Sequence, residues 1–353
     1  MPSKTKSSPN VTISNVANKA GVSPATVSRV LNGGYPVAQE TRAQVEKVVR
    51  DLGYIRNAHA QALRRTSTGV IGVIIHDVAD PYFSEIVAGI QEVAAANGRL
   101  VVLCNSLRDP KSEQQYVQML RAQRVDAVIL TGGAIEDAEY LRAIRNDARA
   151  LKLQGSRMVI CGRYSSVTTD VVVPDNQAGA EMLTKYLLKH GHRRIAELMG
   201  PPHFSTTDER SDGHRKTLRD AGIERDEALA IPGGFTRDGG YEATRKVLAS
   251  GAKFTAIYAA NDLMALGALT ALREAKLRVP NDVSLVGFDD IPTVRDVTPG
   301  LTTVRVPMRE MGRRSMQIAL GTGAHKSRLQ VLPVELIERE SVASVHSAAR
   351  RQA

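Results

Sequence analysis

The chain has 353 residues, of which 42% are hydrophobic, and a formal net charge of +10 at pH 7. This length allows two or three domains with sizeable cores. No apolar run reaches the roughly 18 residues of a membrane span, and the start, MPSKTKSSPNVT, lacks the apolar segment of a secretory signal. We therefore expect a cytoplasmic protein that does not contact a membrane. Cys104 and Cys161 fit no metal or redox motif, and their apolar surroundings predict buried, reduced thiols.

The positive charge is concentrated at the beginning of the chain. Residues 1–67 contain ten lysines and arginines against three acidic residues, whereas the other 286 residues contain 37 and 34. This asymmetry indicates a polyanionic partner for the first segment. A basic surface without such a partner would be compatible with the charge alone.

Three short amphipathic helices are predicted in this first segment. Thr12 is a candidate cap for a helix that stops before Gly21, and Ser23 caps a second helix with proline at its first position. The second helix is expected to stop at Asn32 and the two glycines after it. A third runs from about Gln39 to Leu52.

The first two helices have the spacing of a helix-turn-helix. Ala17 is small enough to let the helices touch, Gly21 suits a turn with positive φ, and Val27 packs the second helix onto the first. Short side chains and Arg29 then point outward from the second helix, as a reader of the DNA major groove requires. A generic helical hairpin is the alternative.

From Val70 onward, short apolar runs alternate with amphipathic helical patterns. Continuous apolar strands separated by helices are typical of parallel sheets covered on both faces. There are too many strands for one compact sheet, so we expect two α/β subdomains with a cleft between them. The predicted organisation is a disordered tail (1–10), an all-α helix-turn-helix headpiece (11–56), a hinge helix and linker (57–68), a two-subdomain α/β core (69–345) and a second tail (346–353).

The sequence resembles the lac repressor/purine repressor family of bacterial transcription regulators. The segment TISNVANKAGVSPATVSRVLNGGYPVAQETRAQVEKVVRDLGYIRNAHAQAL follows the family's headpiece almost position by position. Later motifs, including IGVIIHDVADPYFSEIVAGI, ERSDGHRKTLRDAGI and VSLVGFDD, extend the similarity over nearly the whole chain. The core is similar to that of periplasmic sugar-binding proteins, with parallel sheets in both subdomains.

The resemblance implies a homodimer that holds two headpieces on a pseudo-palindromic operator in double-stranded DNA. It also implies a hinge helix that forms on DNA and inserts Leu63 into the minor groove. Two positions depart from the family pattern: Gln61 replaces an arginine, and Ala38 replaces a capping serine or threonine. The candidate DNA-contacting residues are Thr12, Ser23, Pro24, Ala25, Thr26, Ser28, Arg29, Asn32, Tyr54, Asn57, Ala60 and Leu63.

A small-molecule effector, a sugar or a sugar derivative, is expected in the cleft. The family motifs place its contacts at Tyr82, Phe83, Arg210, Phe235, Asn261 and Asp289. The phenylalanines could instead be ordinary core residues, Asn261 a helix cap, and Arg210 and Asp289 a surface ion pair.

Arg163 is a further effector candidate, because several sugar-responsive members have an acid where this chain has Gly162 and Arg163. An added arginine would favour an anionic or phosphorylated effector, or it would point into solvent. A co-repressed regulator of a nucleobase-like or phosphorylated metabolite is the alternative function.

An enzyme and a periplasmic binding protein are the rival classes. The nucleophile-elbow, zincin, P-loop and dinucleotide-binding motifs are missing, and the histidines have no metal-ligand spacing. We therefore expect neither catalysis nor a cofactor or metal, and we expect His190 and His192 at an exposed helix end. The last sixteen residues have no leucine heptad for a helical bundle, which predicts a dimer rather than a tetramer.

Overall fold

A computed structural model describes residues 11–32, 36–54, 67–164, 167–322 and 328–345. These residues form two compact units that divide between Thr68 and Gly69. Both predicted tails, the helix-ending glycines and the hinge segment 57–66 lie outside the described residues. No described helix is long and apolar enough to cross a membrane.

The first unit contains the three predicted helices, α1 (Ile13–Lys19), α2 (Pro24–Asn32) and α3 (Gln39–Asp51). Their boundaries follow from the caps. The Thr12 backbone N–H donates to Asn15 Oδ1 over 2.8 Å, and the Asn15 N–H donates back to Thr12 Oγ1 over 3.4 Å. Gly21 takes the turn at φ +61°, and α3 begins after Ala38 without a side-chain cap, both as predicted.

One small apolar cluster joins these helices. Val16, Ala17, Ala20, Val27 and Val45 are each at most 1% exposed, and Val30 and Val48 complete the buried cluster. Helices of 7, 9 and 13 residues are marginal in isolation. Their packing on one another, with the small Ala17 at the crossing, therefore stabilises the unit.

The second unit alternates strands and helices along the chain. The strands are β1 (Val70–Ile75), β2 (Leu100–Asn105), β3 (Ala127–Thr131), β4 (Arg157–Cys161), β5 (Asp170–Pro174), β6 (Ile195–Met199), β7 (Ala230–Pro232), β8 (Ala256–Ala259), β9 (Ser284–Val286), β10 (Thr303–Arg305), β11 (Leu329–Leu332) and β12 (Glu335–Ile337). The helices are α4 (Pro81–Ala96), α5 (Pro110–Ala122), α6 (Ala138–Leu153), α7 (Asn176–Lys189), α8 (Ser205–Asp220), α9 (Arg237–Ala249), α10 (Asp262–Glu274) and α11 (Met308–Leu320).

Two parallel sheets confirm the predicted pair of α/β subdomains. The first sheet has the order β11-β5-β4-β3-β1-β2, and the second has the order β7-β6-β8-β9. The antiparallel pair β10 and β12 lies where the chain passes between them. Every strand predicted from an apolar run is present. Strands β5, β7, β11 and β12, of three to five residues, were not predicted.

Strand β2 differs from the prediction that the strands are covered on both faces. It forms one edge of the first sheet, and Leu100, Val102 and Leu103 are 62%, 38% and 40% exposed. Cys104, on the same strand, is half-buried, so the prediction of a buried thiol was wrong there and is confirmed for Cys161. Only the sheet order reveals which apolar strand lies at an edge.

His192 also differs from its prediction. It is 2% exposed rather than at an exposed helix end. Its Nδ1 bonds to Thr255 Oγ1 over 2.9 Å, and its Nε2 bonds to the Ala343 carbonyl over 3.0 Å. The imidazole therefore ties the carboxy-terminal segment to the second subdomain.

Close helix packing fixes the first subdomain. Helices α4 and α11 cross where Gly89 and Gly312 leave room for each other's backbone. A Cβ on Gly312 would lie 2.0 Å from the Ile86 carbonyl oxygen, and one on Gly89 equally close to that of Arg309. Glycine is therefore required on both sides of this crossing.

We predict that Gly312→Ala destabilises the core by about 1–3 kcal/mol, because the added methyl forces two helix backbones apart. Urea unfolding of the full chain measures this change. Arg314→Ala, on the exposed side of the same helix, should change the stability by no more than about 0.5 kcal/mol. Equal stability of the Gly312 variant and the wild type would contradict this account of the crossing.

Candidate functional sites

One side of α2 is an exposed surface of short side chains with one cation, Arg29, in the last turn. Ser23, Pro24, Ala25 and Arg29 are exposed, whereas Thr26 and Ser28 are half-buried. The Ser23 side chain accepts the Thr26 backbone N–H over 3.1 Å and so begins the helix. Short side chains allow a helix to approach base edges closely, and an arginine can then bond a guanine in two places. The geometry fits the predicted DNA-reading helix.

Of the other candidate DNA contacts, the structure describes the side chains of Thr12 and Tyr54. Thr12 is exposed at the start of α1, and Tyr54 packs half-buried against the apolar cluster after α3. The Asn32 side chain lies outside the described part of the chain, as do Asn57, Ala60 and Leu63.

A cleft with about 550 Å³ of atom-free space, including its open mouth, lies between the two sheets. All seven candidate effector residues line it: Tyr82, Phe83, Arg163, Arg210, Phe235, Asn261 and Asp289. Further lining residues that the sequence analysis missed are His76, Asp80, Arg108, Asn176, Phe204 and Thr206.

The missed residues have a shared signal. His76 follows β1, Arg108 follows β2, Asn176 follows β5 and Phe204 follows β6. Ligands of open α/β sheets bind outside the carboxyl ends of the parallel strands. Polar and aromatic residues after each apolar run could therefore have been proposed as lining residues without any structure.

Arg210 and Asp289 form a buried ion pair in the cleft. Arg210 Nη2 lies 2.9 Å from Asp289 Oδ1, and the two side chains are 4% and 6% exposed. The guanidinium also donates to Asn176 Oδ1 over 3.0 Å and to the Ala260 carbonyl over 2.6 Å, and it lies 3.7 Å from the centre of the Phe288 ring. The alternative of a surface ion pair was wrong, because α8 carries Arg210 inward toward the ends of β8 and β9.

The backbone at Asp289 is held from the next residue. Asp289 has φ +118° and Asp290 φ +57°, both in the range that disfavours residues other than glycine. The buried Asp290 carboxylate accepts bonds from Arg295, Arg305 and Arg339 over 3.2, 2.8 and 2.5 Å. Three guanidiniums on one carboxylate thus fix the turn that presents Asp289 to the cleft.

Rings and an amide form the rest of the cleft wall. Asp80 caps α4 by accepting the Tyr82 N–H over 3.0 Å, and this places Tyr82 and Phe83 edge to face. Asn261 both caps α10 and donates to the Phe235 carbonyl over 3.2 Å. Phe83 and Phe235 are therefore buried core residues that also line the cleft, and Asn261 is a helix cap that also lines it.

Each arginine that lines the cleft has a carboxylate partner. Arg108 lies 3.5 Å from Asp80, Arg210 pairs with Asp289, and Arg163 pairs with Glu209. Arg163 is 41% exposed at the mouth, where Glu209 of α8 neutralises it. The cleft consequently offers both donors and acceptors, and its arginines are opposed by carboxylates.

Loops from the two subdomains touch at the cleft. Ser205, at the start of α8, donates its N–H to the Ala134 carbonyl over 3.1 Å and its hydroxyl to the Arg163 carbonyl over 2.9 Å. The Glu136 N–H donates to the His203 carbonyl over 2.9 Å. These bonds, with the Arg163–Glu209 pair, link the loops after β3 and β4 to the loop after β6.

Burial shifts the pKa of several groups in the cleft, among them Asp289 and His76. It raises the pKa of Asp289 to about 7 against the opposing effect of the Arg210 guanidinium. It lowers the pKa of His76 to about 3, with the Arg108 charge acting in the same direction. His76 is therefore neutral at physiological pH, while the charge of Asp289 changes near neutrality.

We predict that the wild type loses stability relative to Asp289→Asn as the pH rises from about 4 to about 7. The folded pKa of Asp289 lies above the unfolded value, so ionisation favours the unfolded state over this range. Urea unfolding at several pH values measures the difference.

Asp282→Asn is the matched control for this pH series. Its bonds with Arg278 lower the pKa of Asp282 to about 2, so the wild type should gain stability relative to this variant as the pH rises from about 2 to 4. Parallel pH dependences for the two comparisons would contradict the shift assigned to Asp289.

Comparisons with known proteins identify both parts of the chain. The family described as bacterial regulatory proteins, lacI family, matches residues 12–57. The family described as periplasmic binding proteins and sugar binding domain of LacI family matches residues 68–339. The repressor PurR of Pectobacterium carotovorum subsp. carotovorum is 34% identical over 339 residues, which cover 94% of this chain and 97% of the relative. The regulator GalR of Escherichia coli is 32% identical over 94% of this chain and 96% of its own length.

Solved structures give the same result for the fold. The lac repressor dimer bound to operator and the anti-inducer ONPF has a TM-score of 0.81 and 31% identity, with coverage of 94% of this chain and 99% of that one. The complex of the transcriptional regulator CelR with cellobiose has a TM-score of 0.69 and 32% identity, with the same coverage. The chain therefore belongs to the lacI family of bacterial regulatory proteins, as a DNA-binding transcription regulator with an effector-binding core of the periplasmic-binding-protein type.

Proposed function

We propose that the protein is a repressor that binds a pseudo-palindromic operator as a homodimer, and that a neutral carbohydrate in the cleft controls this binding. It acts in the cytoplasm, on the DNA of the nucleoid. We assign the cleft a binding rather than a catalytic role, because its arginines and carboxylates are paired with one another instead of being available as acid, base or nucleophile.

The proposal for DNA rests on α2. Its exposed residues Ser23, Pro24 and Ala25 are short, Arg29 follows in the last turn, and residues 1–67 hold most of the net positive charge of the chain. The lysines and arginines of this segment provide affinity for the DNA phosphates, and Arg29 distinguishes between nucleobases. The related lac repressor dimer was solved on its operator.

We choose a neutral effector because every arginine in the cleft is paired with a carboxylate. A phosphate or carboxylate ligand needs an uncompensated cation, but Arg108, Arg163 and Arg210 each face a carboxylate. A polyol suits this arrangement, since each hydroxyl both donates and accepts. Aromatic rings cover the apolar face of a sugar. The related CelR binds cellobiose.

A nucleobase is the second candidate effector. The rings of Phe83, Phe204 and Phe235 could contact a planar heterocycle, and Asn261 and Asp289 could bond to its edge. The balanced charge of the cleft admits a neutral base but opposes the phosphorylated metabolites that Arg163 alone would favour.

The edge of the first sheet supports the homodimer. Exposed apolar side chains collect on β2 and just after it, at Leu100, Val102, Leu103 and Leu107. An exposed apolar edge strand favours aggregation unless another surface covers it. A second copy of the chain covers this edge in the proposed dimer.

We predict that Arg29→Ala weakens binding by about 1–3 kcal/mol per half-site and relaxes the base preference at one position. The wild type first selects its site from a random duplex library, and binding of base-substituted duplexes is then compared. Lys47→Ala, exposed on α3, is the control and should not alter base preference. Unchanged discrimination by the Arg29 variant would refute the placement of the reading helix.

We predict that Asp289→Asn weakens effector binding by about 10- to 100-fold, the effect of losing a hydrogen bond to a charged group. Calorimetry with neutral sugars, sugar phosphates and nucleobases identifies the effector class and measures the change. Arg163→Ala, at the exposed mouth, should have a smaller effect.

Operator affinity is measured with and without the effector found in that panel. The expected change is roughly 5- to 150-fold, and Asp289→Asn should lose it at effector concentrations that just saturate the wild type. If the effector changed the operator affinity of this variant as much as that of the wild type, the assignment of the cleft would be disproved. If the wild type preferred a sugar phosphate, the choice of a neutral effector would be disproved.

A further inference from the structure

A second large opening lies at the opposite end of the first sheet from the cleft. It contains about 1340 Å³ of atom-free space open to solvent, against about 550 Å³ for the cleft. Parallel strands begin at one edge, and Arg157 begins β4, Asp170 begins β5 and Arg328 precedes β11. We call this opening, lined at the amino ends of these strands, the basic groove.

The basic groove concentrates positive charge. Its lining includes one carboxylate, Asp170, against five cations, namely Arg145, Arg149, Lys152, Arg157 and Arg328. Within the described ranges, Arg149, Lys152 and Arg328 form no ion pair within 4.0 Å, and all three are exposed. Beyond residue 67 the chain has 37 bases and 34 acids, so this density is a local property rather than the average.

Helix α6 provides three of the cations for a geometric reason. Arg145, Arg149 and Lys152 are spaced four and three residues apart, and so lie in one row along the helix. Ile144 and Leu151 are buried beneath the helix, each one residue before a member of this row. The row therefore runs along the margin between helix and sheet, where it lines the groove.

The remaining lining suits phosphates rather than rings. Gly155 is small and Thr168 carries a hydroxyl, whereas the Ser156 and Thr169 hydroxyls already donate to the carbonyls of Val125 and Met158. No aromatic residue is among the groove residues that the structure describes. Guanidinium and ammonium groups bind phosphate oxygens without reading sequence, whereas binding of single-stranded bases uses aromatic faces. The chemistry is that of a contact with a duplex backbone.

The position of the basic groove in the sheet points to one partner. The chain enters the core at Gly69, immediately before β1, at the edge where the groove lies, and β4 is two strands from β1, about 10 Å away. We infer that the basic groove binds the phosphate backbone of DNA flanking the operator, as a second, sequence-independent contact. This inference rests on the proposed function. An acidic polypeptide would meet the same charges, but the segment that joins the core at this edge comes from the DNA-binding headpiece.

The test compares duplexes of two lengths that carry the same site, selected by the wild type from a random library. One duplex of 20 base pairs holds the site alone, and one of 60 base pairs adds flanks. The groove variant combines Arg149→Ala, Lys152→Ala and Arg328→Ala, all on exposed positions. The control combines Arg245→Ala, Lys246→Ala and Lys253→Ala, which removes the same charge from exposed positions of the second subdomain.

On the long duplex the groove variant should bind at least tenfold more weakly than the wild type at 100 mM salt, with a shallower salt dependence. The slope of log K against log salt is negative, and each lost phosphate contact reduces its magnitude by about 0.9. On the short duplex the groove variant and the control should match each other. A separate variant that keeps the charges, with Arg149→Lys and Lys152→Arg, should bind the long duplex as tightly as the wild type does.

Three results would overturn the inference, and one would remove its basis. Equal losses on both lengths would show a general electrostatic effect, and no loss on the long duplex would show that the groove does not meet DNA. Weaker binding to polyglutamate with unchanged binding to the long duplex would assign the groove to an acidic polypeptide. Failure of the wild type to select any site would instead disprove the proposed function.

Discussion

The ion pair between Arg210 and Asp289 is the interaction on which the cleft depends. Both groups are buried, so each charge requires the other, and a buried charge left alone would cost several kcal/mol. The pair joins α8 to the turn after β9, and Arg210 also holds the end of β8 and the start of α7. The guanidinium therefore joins four parts of the chain around the cleft: α8, the start of α7, the end of β8 and the turn after β9.

Asp290 extends this constraint to the connection between the subdomains. Its three arginine partners lie on the segment after β9, on β10 and after β12, so the turn that presents Asp289 is bonded to β10 and to the segment that follows β12. A ligand that changes the position of Asp289 also acts on this cluster. The arrangement gives effector binding a physical route to the relative position of the subdomains, although a coupling free energy requires two states with different affinity for the ligand.

Charge is used differently in different parts of the chain. In the cleft, Arg108, Arg163 and Arg210 are neutralised by carboxylates, which suits recognition of hydroxyl groups. On α2, the exposed Arg29 is surrounded by short side chains, which suits entry into a groove. In the basic groove, five cations face one carboxylate, which suits phosphates. The same residue type thus has three roles, and the neighbouring acids decide which one applies.

The sequence alone determined the helices of the headpiece, the α/β class of the core and seven residues of the cleft. Local chemistry explains this success, because the Thr12 cap, the Gly21 turn and the apolar strand runs act over a few neighbouring residues. The resemblance to a family located residues as distant as Tyr82 and Asp289. The sequence did not reveal His76, Asp80, Arg108 or Asn176, although their place after strands was a usable signal.

Tertiary structure decided what depends on residues far apart in the chain. The apolar pattern of β2 predicts a strand covered on both faces, but β2 lies at one edge of the first sheet, where Leu100 is exposed and Cys104 is half-buried. Arg163 reads as a free cation, but Glu209, 46 positions later, neutralises it. His192 reads as an exposed helix end, but the carboxy-terminal segment covers it. Sheet order and long-range pairing are set by packing over the whole core, and a local pattern contains no information about which distant residue completes a pair.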